Sequence, residues 1–292
     1  MTEPIAYVNG DFVPESRATV SILDHGLLYG DGVFETVLAR AGTVHRLDAH
    51  LDRLFRSLAA VHIPPPDDRA GLAGIIAEAV RRNDLTDAYV KLIVTRGTNG
   101  TPLLDPAGCR PGVICLVRPH TDTDPARVER AARGLRVKTA AIRRPSADVL
   151  DPRVKSLNYL NLVLARIEAR AANVDEALLL DVHGHVCEAP GANIFTLLGD
   201  TLSTPDHDIL EGVTRATVMD LARARGLTVR ERPVELYDVY TADEVILCST
   251  AIGLLPVVQA DGRTVGSGHP GPTFTQLLAD YHRAIRDTAP PL

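Results

Sequence analysis

The chain has 292 residues, of which 45% are hydrophobic and 23% charged, and its formal net charge is -6. This length is sufficient to bury a large core, either in two domains or in one large one. The composition is typical of a soluble globular enzyme or binding protein. The negative net charge gives no support for a nucleic-acid partner or for binding to an anionic membrane.

The N-terminal residues lead directly into a strand-like segment, with no basic stretch followed by an apolar run. We therefore expect no secretion signal, no membrane span and a cytoplasmic location. The four cysteines, at positions 109, 115, 187 and 248, show neither a CxxC pair nor zinc-finger spacing. We expect them to be reduced and mostly buried, and we predict no metal site.

Local patterns predict an alternation of strands and helices along the chain. The first elements are a β-hairpin at 5–13 around Asn9-Gly10, a glycine-rich loop entering a strand at 24–38, helices at 47–61 and 71–83 separated by the prolines at 64–66, and strands at 88–95 and 112–117. The later elements are a strand at 135–141, a helix at 156–172, strands at 176–181 and 186–198, a helix from Gly212 to about 225, a strand at 244–250 and a last helix at 273–287.

These elements follow no regular βαβ cycle, so the pattern favours an α+β fold in two domains. Pro, Thr and Asp are concentrated at residues 118–127, which is typical of a linker. We expect a small N-terminal α/β domain at residues 1–118, an interdomain linker at 119–128 and a larger C-terminal domain at 129–292.

Lysine is rare in this chain: of the 31 Lys and Arg residues, only Lys91, Lys138 and Lys155 are lysines. A lysine amine can form an imine, whereas the guanidinium of arginine stays protonated, so Lys155 is a candidate for covalent chemistry. If the helix begins by Lys155, Tyr159 shares its face, and the helix N-terminus favours the neutral, nucleophilic amine. The alternative is a surface lysine beside a core tyrosine.

Glu188 lies between an apolar strand and the small residues Pro190, Gly191 and Ala192. A carboxylate is costly to desolvate there unless it meets a cation, and the protonated nitrogen of a pyridine ring would be such a partner. The alternative is a glutamate at the rim of a turn.

Two segments are similar to phosphate-binding loops. Glu-Gly-Val-Thr-Arg (211–215) opens a predicted helix, whose backbone amides and dipole attract an anion. Cys-Ser-Thr-Ala-Ile-Gly (248–253) ends a strand in hydroxyl residues and glycine, and Arg53 of the early helix could supply a permanent charge. The alternatives are Thr214 as an ordinary helix cap, Thr250 in a plain loop and a solvated Arg53.

In their combination and order, these motifs resemble the class IV pyridoxal-phosphate aminotransferases, the family of branched-chain aminotransferase, D-amino acid aminotransferase and aminodeoxychorismate lyase. The matching motifs are Tyr-Gly-Asp-Gly-Val-Phe-Glu (29–35), His-Leu-Asp-Arg-Leu (50–54), Lys-Ser-Leu-Asn-Tyr (155–159), Glu-Ala-Pro-Gly-Ala-Asn-Ile-Phe (188–195), Gly-Val-Thr-Arg (212–215) and Ser-Thr-Ala (249–251). They span nearly the whole chain, and only the last helix carries none.

The resemblance implies fold type IV, with a small α/β domain, a larger barrel-like domain, pyridoxal 5'-phosphate between them, and a homodimer. It implies that Lys155 forms the Schiff base with the cofactor and then carries the proton between substrate and cofactor. Glu188 would pair with the pyridine nitrogen, and Tyr159 would hydrogen-bond the phenolic oxygen. The phosphate would be held by Arg53, the amides of Val213 and Thr214, and Thr250.

The family's reaction moves an amino group between an amino acid and a 2-oxo acid such as 2-oxoglutarate. The residues that match its substrate pocket are Tyr29, Phe34, Thr36, Tyr89, Lys91, Arg96 and Ala251. Gly-Asp-Gly-Val-Phe-Glu (30–35) and Thr-Arg-Gly-Thr (95–98) are similar to D-amino acid aminotransferase, so D-amino acids such as D-alanine are the preferred donors. That enzyme's Arg-x-His carboxylate trap is absent, which leaves as candidate cations Lys91, Arg96, Arg143 and Arg144.

Other substrates stay open. A branched-chain L-amino acid aminotransferase is the second choice, because Thr36 stands where those enzymes usually have Gly, and Tyr89-x-Lys91 replaces their Tyr-x-Arg. Lysine keeps the charge but loses the bidentate fork of arginine. Aminodeoxychorismate lyase, an (R)-amine transaminase and a non-catalytic cofactor-binding protein are further alternatives.

Overall fold

The computed structural model describes residues 3–287 and divides them into two compact units. Unit 1 contains residues 3–121, 154–158 and 284–287, and unit 2 contains residues 122–153 and 159–283. The chain therefore returns to unit 1 for a five-residue segment that includes Lys155. The predicted linker at 119–128 contains the boundary after Thr121, but a helix already begins at Pro125.

Unit 1 combines a sheet with helices. Its strands are β1 (Ile5–Val8), β2 (Asp11–Pro14), β3 (Gly32–Arg40), β4 (Thr43–Val44), β5 (Ala88–Thr98) and β6 (Arg110–Pro119), and its helices are α1 (His25–Tyr29), α2 (Leu47–Ala60) and α3 (Arg69–Arg82). Among the described residues, the six strands form one sheet in the order β2-β1-β6-β5-β3-β4.

Local sequence patterns account for the main elements of unit 1. The leucine spacing of α2 places Leu51, Leu54 and Leu58 in the core, against alternate residues of β3 and β5. The predicted hairpin at 5–13 is confirmed, since Asn9 and Gly10 both adopt the positive φ angles of a tight turn.

Unit 2 contains the other strands and helices of the described chain. The strands are β7 (Leu135–Arg143), β8 (Glu176–Leu180), β9 (Val186–Ala189), β10 (Ala192–Leu198), β11 (Thr201–Thr204), β12 (Thr228–Glu231), β13 (Glu244–Ser249), β14 (Gly253–Ala260) and β15 (Arg263–Thr264). The helices that begin in this unit are α4 (Pro125–Arg133), α5 (Ala147–Leu150), α6 (Leu160–Ala171), α7 (Val213–Ala224), α8 (Leu236–Thr241) and α9 (Pro272–Asp287).

The sheet of unit 2 closes on itself. Its order is β10-β13-β14-β7-β8-β9, and β9 pairs again with β10. The start of β10 pairs with β9, and its end pairs on the same side with β11, which leads to β12. Closure pairs both edges of this six-stranded ring, and side chains from facing strands fill its interior. The α+β class with a larger barrel-like domain is thus confirmed.

Two predicted elements differ from the structure. The helix predicted from Ser156 begins at Leu160, because residues 154–158 hydrogen-bond to β3 instead. The strand predicted at 186–198 is a hairpin of β9 and β10, since Pro190 lacks an N–H for a ladder and Gly191 permits the turn. Among residues 3–287, we find no helix with the length and apolar character needed to cross a membrane.

Candidate active site

Lys155 lies in an extended segment that pairs with the beginning of β3 in unit 1. The N–H of Phe34 donates to the Lys155 carbonyl at 2.9 Å, and the N–H of Leu157 donates to the Gly32 carbonyl at 2.9 Å. The Lys155 N–H donates to Ser57 Oγ of α2 at 3.2 Å. The backbone of Lys155 is therefore fixed by a strand and a helix of the same unit.

This placement corrects the argument that Lys155 stands at a helix N-terminus. Helix α6 begins at Leu160 with Tyr159 as its N-cap, so Lys155 and Tyr159 do not share a helical face. Tyr159 is half-buried in unit 2 and packs against the cluster around Leu162 and Ala165. A helix dipole therefore does not act on the Lys155 amine in the way the sequence suggested.

The two glycines of the Gly-Asp-Gly motif allow residues 154–158, the lysine segment, to approach β3 closely. A Cβ atom on Gly32 would lie 2.7 Å from Leu157 Cδ1 and 2.7 Å from the Val94 carbonyl oxygen. Gly30 has a φ of 68°, and its carbonyl accepts a hydrogen bond of 2.9 Å from Asn158 Nδ2. The motif therefore helps to position the backbone on either side of Lys155.

The Lys155 amine lies over an aromatic ring that a second lysine also contacts. Lys155 Nζ is 4.6 Å from the ring centroid of Phe34, and Lys91 Nζ is 4.4 Å from the same centroid. Lys91 is half-buried, and burial lowers the pKa of its amine. Two amines therefore share one aromatic ring in unit 1.

Cross-strand pairing shows what surrounds these amines. Phe34 is paired with Ile93, and Thr36 with Lys91, so they lie on the sheet face opposite the core. The half-buried side chains that continue this face are Tyr89 on β5, with Ile114 and Leu116 on β6. The structure thus brings together five predicted residues of unit 1: Phe34, Thr36, Tyr89, Lys91 and Lys155.

Arg53 is buried rather than solvated, with a relative exposure of 4%. Its Nε and Nη2 donate to the two carboxylate oxygens of Glu35 at 2.7 and 2.8 Å, and His50 Nδ1 lies 2.9 Å from Glu35 Oε2. Burial opposes ionisation of Glu35, but the charge of Arg53 and these hydrogen bonds outweigh it and lower its pKa to about 2. Burial lowers the pKa of His50. The guanidinium of Arg53 thus has a fixed orientation.

Two other residues predicted for the pocket have structural partners. Arg96 forms an ion pair with Asp31, with Nη2 at 3.1 Å from Oδ1, and donates to the Val61 carbonyl at 2.7 Å. Its candidacy as a cation for a substrate carboxylate is therefore not supported. Tyr29 at the end of α1 donates its hydroxyl to the Pro102 carbonyl at 2.5 Å.

Glu188 on β9 of unit 2 is a buried carboxylate with an exposure of 5%, which contradicts a position at the rim of a turn. Its Oε1 lies 2.8 Å from Arg144 Nη2, and its Oε2 accepts from Asn193 Nδ2 and the Leu210 N–H, both at 3.2 Å. Arg144 is buried and pairs with Glu188, so its candidacy as a cation for a substrate carboxylate is not supported. Arg143 instead donates to the Ala140 carbonyl of its own strand.

Asn193 connects Glu188 to the segment that precedes α7. Its Nδ2 also donates to the Leu210 carbonyl at 2.8 Å, and a Cβ on Gly212 would lie 2.1 Å from its Oδ1. Gly212 is the N-cap of α7 and no side chain caps this helix, so Thr214 is not its cap. The amides of Val213 and Thr214 therefore lie in the first turn of a helix whose N-terminus favours anions.

The remaining predicted residues of unit 2 occupy the turn between β13 and β14. Thr250 and Ala251 are half-exposed there, and the guanidinium of Arg127 donates to the Ala251 carbonyl. Arg215 of the Gly-Val-Thr-Arg motif is buried and donates to Thr204 Oγ1 at 3.1 Å and to Glu231 at 2.9 Å. These contacts join α7 to β11 and β12.

Sequence reasoning did not predict the roles of Asn193, His50 and Glu35, and it named Arg144 only as one of four candidate cations for a substrate carboxylate. The Pro-Gly pair at 190–191 was a usable signal, because a hairpin there makes Asn193 the cross-strand partner of Glu188. No comparable signal exists for Arg144, which lies 44 positions before Glu188 in the chain.

Each unit contains donor groups of the kinds that pyridoxal phosphate requires. Lys155 supplies an amine of the kind that forms an imine, held against an aromatic ring, and Glu188 offers a buried carboxylate to a ring nitrogen that carries a proton. The N-terminus of α7, which opens at Gly212 without a side-chain cap, is suited to a phosphate.

Comparison with known proteins agrees with this fit. The family model for amino-transferase class IV matches residues 32–260. A relative from Methanocaldococcus jannaschii, named "Putative branched-chain-amino-acid aminotransferase", is 44% identical over 283 residues, or 96% of each chain. A branched-chain-amino-acid aminotransferase from Pseudomonas aeruginosa is 33% identical over 283 residues, covering 95% of this chain and 91% of its own.

A solved structure shows the same architecture. The T.th. branched-chain amino acid aminotransferase with pyridoxamine 5'-phosphate superposes with a TM-score of 0.92 at 30% identity, covering 98% of this chain and 95% of its own. That protein has also been solved with N-(5'-phosphopyridoxyl)-L-glutamate and with 4-methylvaleric acid. The present chain belongs to the class IV aminotransferases of fold type IV. It is a pyridoxal-phosphate-dependent aminotransferase, and the comparisons do not support the predicted preference for D-amino acids.

Proposed function

We propose that the protein is a branched-chain amino acid aminotransferase, which moves the amino group of L-leucine, L-isoleucine or L-valine to a 2-oxo acid such as 2-oxoglutarate. The names of its relatives support this substrate class. The observation that carries the proposal is the sheet face beside the Lys155 amine. This face carries the apolar side chains of Phe34, Ile93, Ile114 and Leu116 beside Thr36, the Tyr89 hydroxyl and Lys91, and strand alternation places Arg40 and Arg118 further along it.

An apolar face favours a larger hydrocarbon side chain over a smaller one. Burial of each additional CH₂ group contributes about 0.8 kcal/mol, so leucine gains on the order of 2 kcal/mol over alanine if its whole side chain is buried. Phe34, Ile93 and Leu116 provide such a surface in unit 1. We therefore expect branched-chain donors to be preferred over D-alanine.

Lys91 is the proposed contact for a substrate carboxylate. Its ammonium is half-buried and lies on the same Phe34 ring as the Lys155 amine. An ion pair with a carboxylate would offset the cost of burying this charge. The other three candidate cations have partners within the chain: Arg96 pairs with Asp31, Arg144 pairs with Glu188, and Arg143 donates to the Ala140 carbonyl.

Lys155 is the proposed catalytic base and acid. When bound, the cofactor supplies an electron-withdrawing ring that stabilises negative charge at the substrate Cα. The Lys155 amine would take the proton from the substrate Cα and return it later in the reaction, while hydrogen bonds to Phe34 and Ser57 hold the Lys155 backbone. Glu188, oriented by Arg144 and Asn193, would keep a proton on the ring nitrogen of the bound cofactor.

The other binding roles are proposals from the family pattern. We assign the phosphate to Arg53, the amides of Val213 and Thr214, and Thr250, and we assign the phenolic oxygen to Tyr159. A homodimer is the proposed assembly, and sedimentation of the cofactor-loaded protein tests it.

A comparison of donors tests the proposed substrate class. We expect kcat/KM with 2-oxoglutarate to be at least about tenfold higher for L-leucine than for D-alanine, in line with the burial estimate. An equal or reversed preference would contradict the proposal. Omission of the 2-oxo acid should stop turnover after one equivalent, whereas a lyase would continue without it.

A pair of variants tests the role of Lys91. Lys91→Met should raise KM for 2-oxoglutarate at least about tenfold by removing a charged hydrogen bond, and Lys91→Arg should retain most of the affinity. If Lys91→Met raises KM for 2-oxoglutarate but not for 4-methyl-2-oxopentanoate, Lys91 binds the distal carboxylate of 2-oxoglutarate. If KM rises for both acids, Lys91 binds the α-carboxylate that they share. Unchanged KM values for both acids would overturn the assignment.

A further inference from the structure

A cluster of two imidazoles and a carboxylate lies in unit 2, apart from the residues assigned above. Asp181 and His185 belong to the turn between β8 and β9, and His207 follows β11. Asp181 Oδ2 is 2.9 Å from His185 Nδ1 and 3.3 Å from His207 Nε2. One ligand atom from each of the three residues lies within 4.8 Å of the others.

We propose that Asp181, His185 and His207 form a binding site for a divalent transition-metal ion of the zinc class. Two ligands at about 2.0–2.2 Å from a tetrahedral Zn²⁺ are roughly 3.3–3.6 Å apart. The carboxylate oxygen is already 3.3 Å from the His207 nitrogen, and it would have to move about 0.5 Å further from the His185 nitrogen, now at 2.9 Å, to share an ion with it. Two imidazole nitrogens and one carboxylate oxygen favour Zn²⁺, Co²⁺ or Ni²⁺ over Mg²⁺ and Ca²⁺, which prefer oxygen ligands. The fourth position remains for water.

The surroundings of the cluster support ligation. Asp181 is fully buried, and its Oδ1 accepts the N–H groups of His183 and His185, both at 2.8 Å. These bonds orient the carboxylate so that Oδ2 faces both imidazoles. His207 Nδ1 lies 2.6 Å from Asp206 Oδ1, which is the carboxylate–histidine arrangement that holds the ring of a metal ligand in place.

A purely structural role for Asp181 explains only part of this arrangement. The bonds to Oδ1 stabilise the turn after β8 and need neither imidazole. His207 comes from a different segment, 22 residues after His185, and its ring is edge-on to that of His185 with centroids 5.4 Å apart. Two imidazoles from separate segments thus meet at one buried carboxylate oxygen. Ligation of a metal ion would explain this arrangement.

The bound ion would join the β8–β9 turn to the segment before α7. His207 lies three residues before Leu210, whose N–H donates to Glu188. Metal binding at the cluster should therefore stabilise the native state to an extent set by the affinity and the metal concentration.

Titration of the cofactor-loaded, untagged protein with ZnCl₂ tests the site, after chelator treatment and exchange into metal-free buffer. We expect one equivalent of Zn²⁺ to bind by calorimetry and to raise Tm, and Co²⁺ to give visible absorption bands of a four-coordinate site. MgCl₂ at the same concentration should do neither. The variants His185→Ala and His207→Ala should each weaken Zn²⁺ binding at least about tenfold. Loss of a residue that only supports a metal ligand already weakens binding by that factor, and loss of a ligand should weaken it at least as much.

His183→Ala is the matched control, because His183 is exposed in the same turn and is not among the three ligands. It should bind Zn²⁺ like the wild type. Loss of binding in His185→Ala and His207→Ala alone, with Tm values of the metal-free variants near that of the wild type, would support the site. Equal weakening in all three variants, unchanged binding in the two ligand variants, or no binding to the wild type would overturn the proposal.

Discussion

The backbone of Lys155 is fixed by hydrogen bonds to β3 and α2, and its amine lies on the Phe34 ring. Lys155→Ala removes the amine at this position while leaving those backbone contacts possible. We expect kcat to fall on the order of 1,000-fold or more, since both the covalent and the proton-transfer roles are lost. Lys138→Ala on β7 serves as a control and should retain activity. Steady-state kinetics with L-leucine and 2-oxoglutarate provides the measurement.

The buried pair of Arg144 and Glu188 combines a structural and a functional role. Arg144→Met leaves the carboxylate buried without this counter-ion and should destabilise the protein by about 3–5 kcal/mol. The double variant Arg144→Met, Glu188→Gln removes both charges and should regain most of that stability while its kcat stays low. Urea unfolding and kinetics on the same samples separate the two effects. A double variant that is no more stable than Arg144→Met would contradict a charge-pair origin.

Individual site residues differed in how far sequence could predict them. The importance of Glu188 followed from a carboxylate next to an apolar strand, Arg53 was proposed as a permanent charge in the early helix, and the motif order identified the family. The partners of these residues could not be predicted, because Glu35, Arg144 and Leu210 reach them through long-range packing. The four-residue spacing of Lys155 and Tyr159 was misleading, because it was interpreted as one turn of a helix. In the structure residues 154–158 pair with β3, and the helix begins only at Leu160.

At the scale of elements, glycines decide how closely segments approach. Gly32→Ala should destabilise the protein and lower activity, because its Cβ would collide with Leu157 and with the Val94 carbonyl at 2.7 Å. Gly74→Ala in α3 is the control: nothing lies within 4 Å of its Cβ, and alanine should stabilise the helix by about 0.4–1 kcal/mol. Thermal unfolding of both variants measures the difference. A stabilised Gly32→Ala would show that the lysine segment does not pack as described.

Elements with a strong local signal were predicted well, and those defined by tertiary pairing were not. The leucine spacing of α2 and the β-branched runs of β5 and β13 determine their structure locally. The short strands β11, β12 and β15 carry weak patterns and exist because neighbours in the sheet pair with them. The start of helix α4 lay in the predicted linker, which was inferred from the Pro, Thr and Asp content of residues 118–127, although proline is favoured at the first helical position.

For the molecule as a whole, the pKa of Glu35 predicts a loss of stability in acid. Its pKa falls from 4.5 to about 2 on folding, so the unfolded chain binds the proton more tightly than the native state. The stabilisation is therefore complete above about pH 4.5 and is lost as the pH falls through about 2. Urea unfolding across this range should show a steeper decline for the wild type than for Glu35→Gln.

Glu78→Gln is the matched control for that experiment. Glu78 also has a pKa lowered to about 2 by hydrogen bonds from Arg81 and Arg82, but this cluster is on the surface. Solvent and salt screen such exposed pairs, so Glu78→Gln should follow the wild-type pH profile closely. A larger change for Glu78→Gln than for Glu35→Gln would contradict the assignment of acid sensitivity to the buried pair.

The most direct test of the function is the visible spectrum of the purified, cofactor-loaded protein during each half-reaction. Addition of L-leucine should remove the absorption band of the lysine-bound cofactor, and 2-oxoglutarate should restore it. D-alanine at the same concentration should act much more slowly, and Lys155→Ala should lack the band. Loss of the band with D-alanine but not with L-leucine would contradict the proposed branched-chain specificity, and a wild-type protein without the band would contradict the assignment of Lys155.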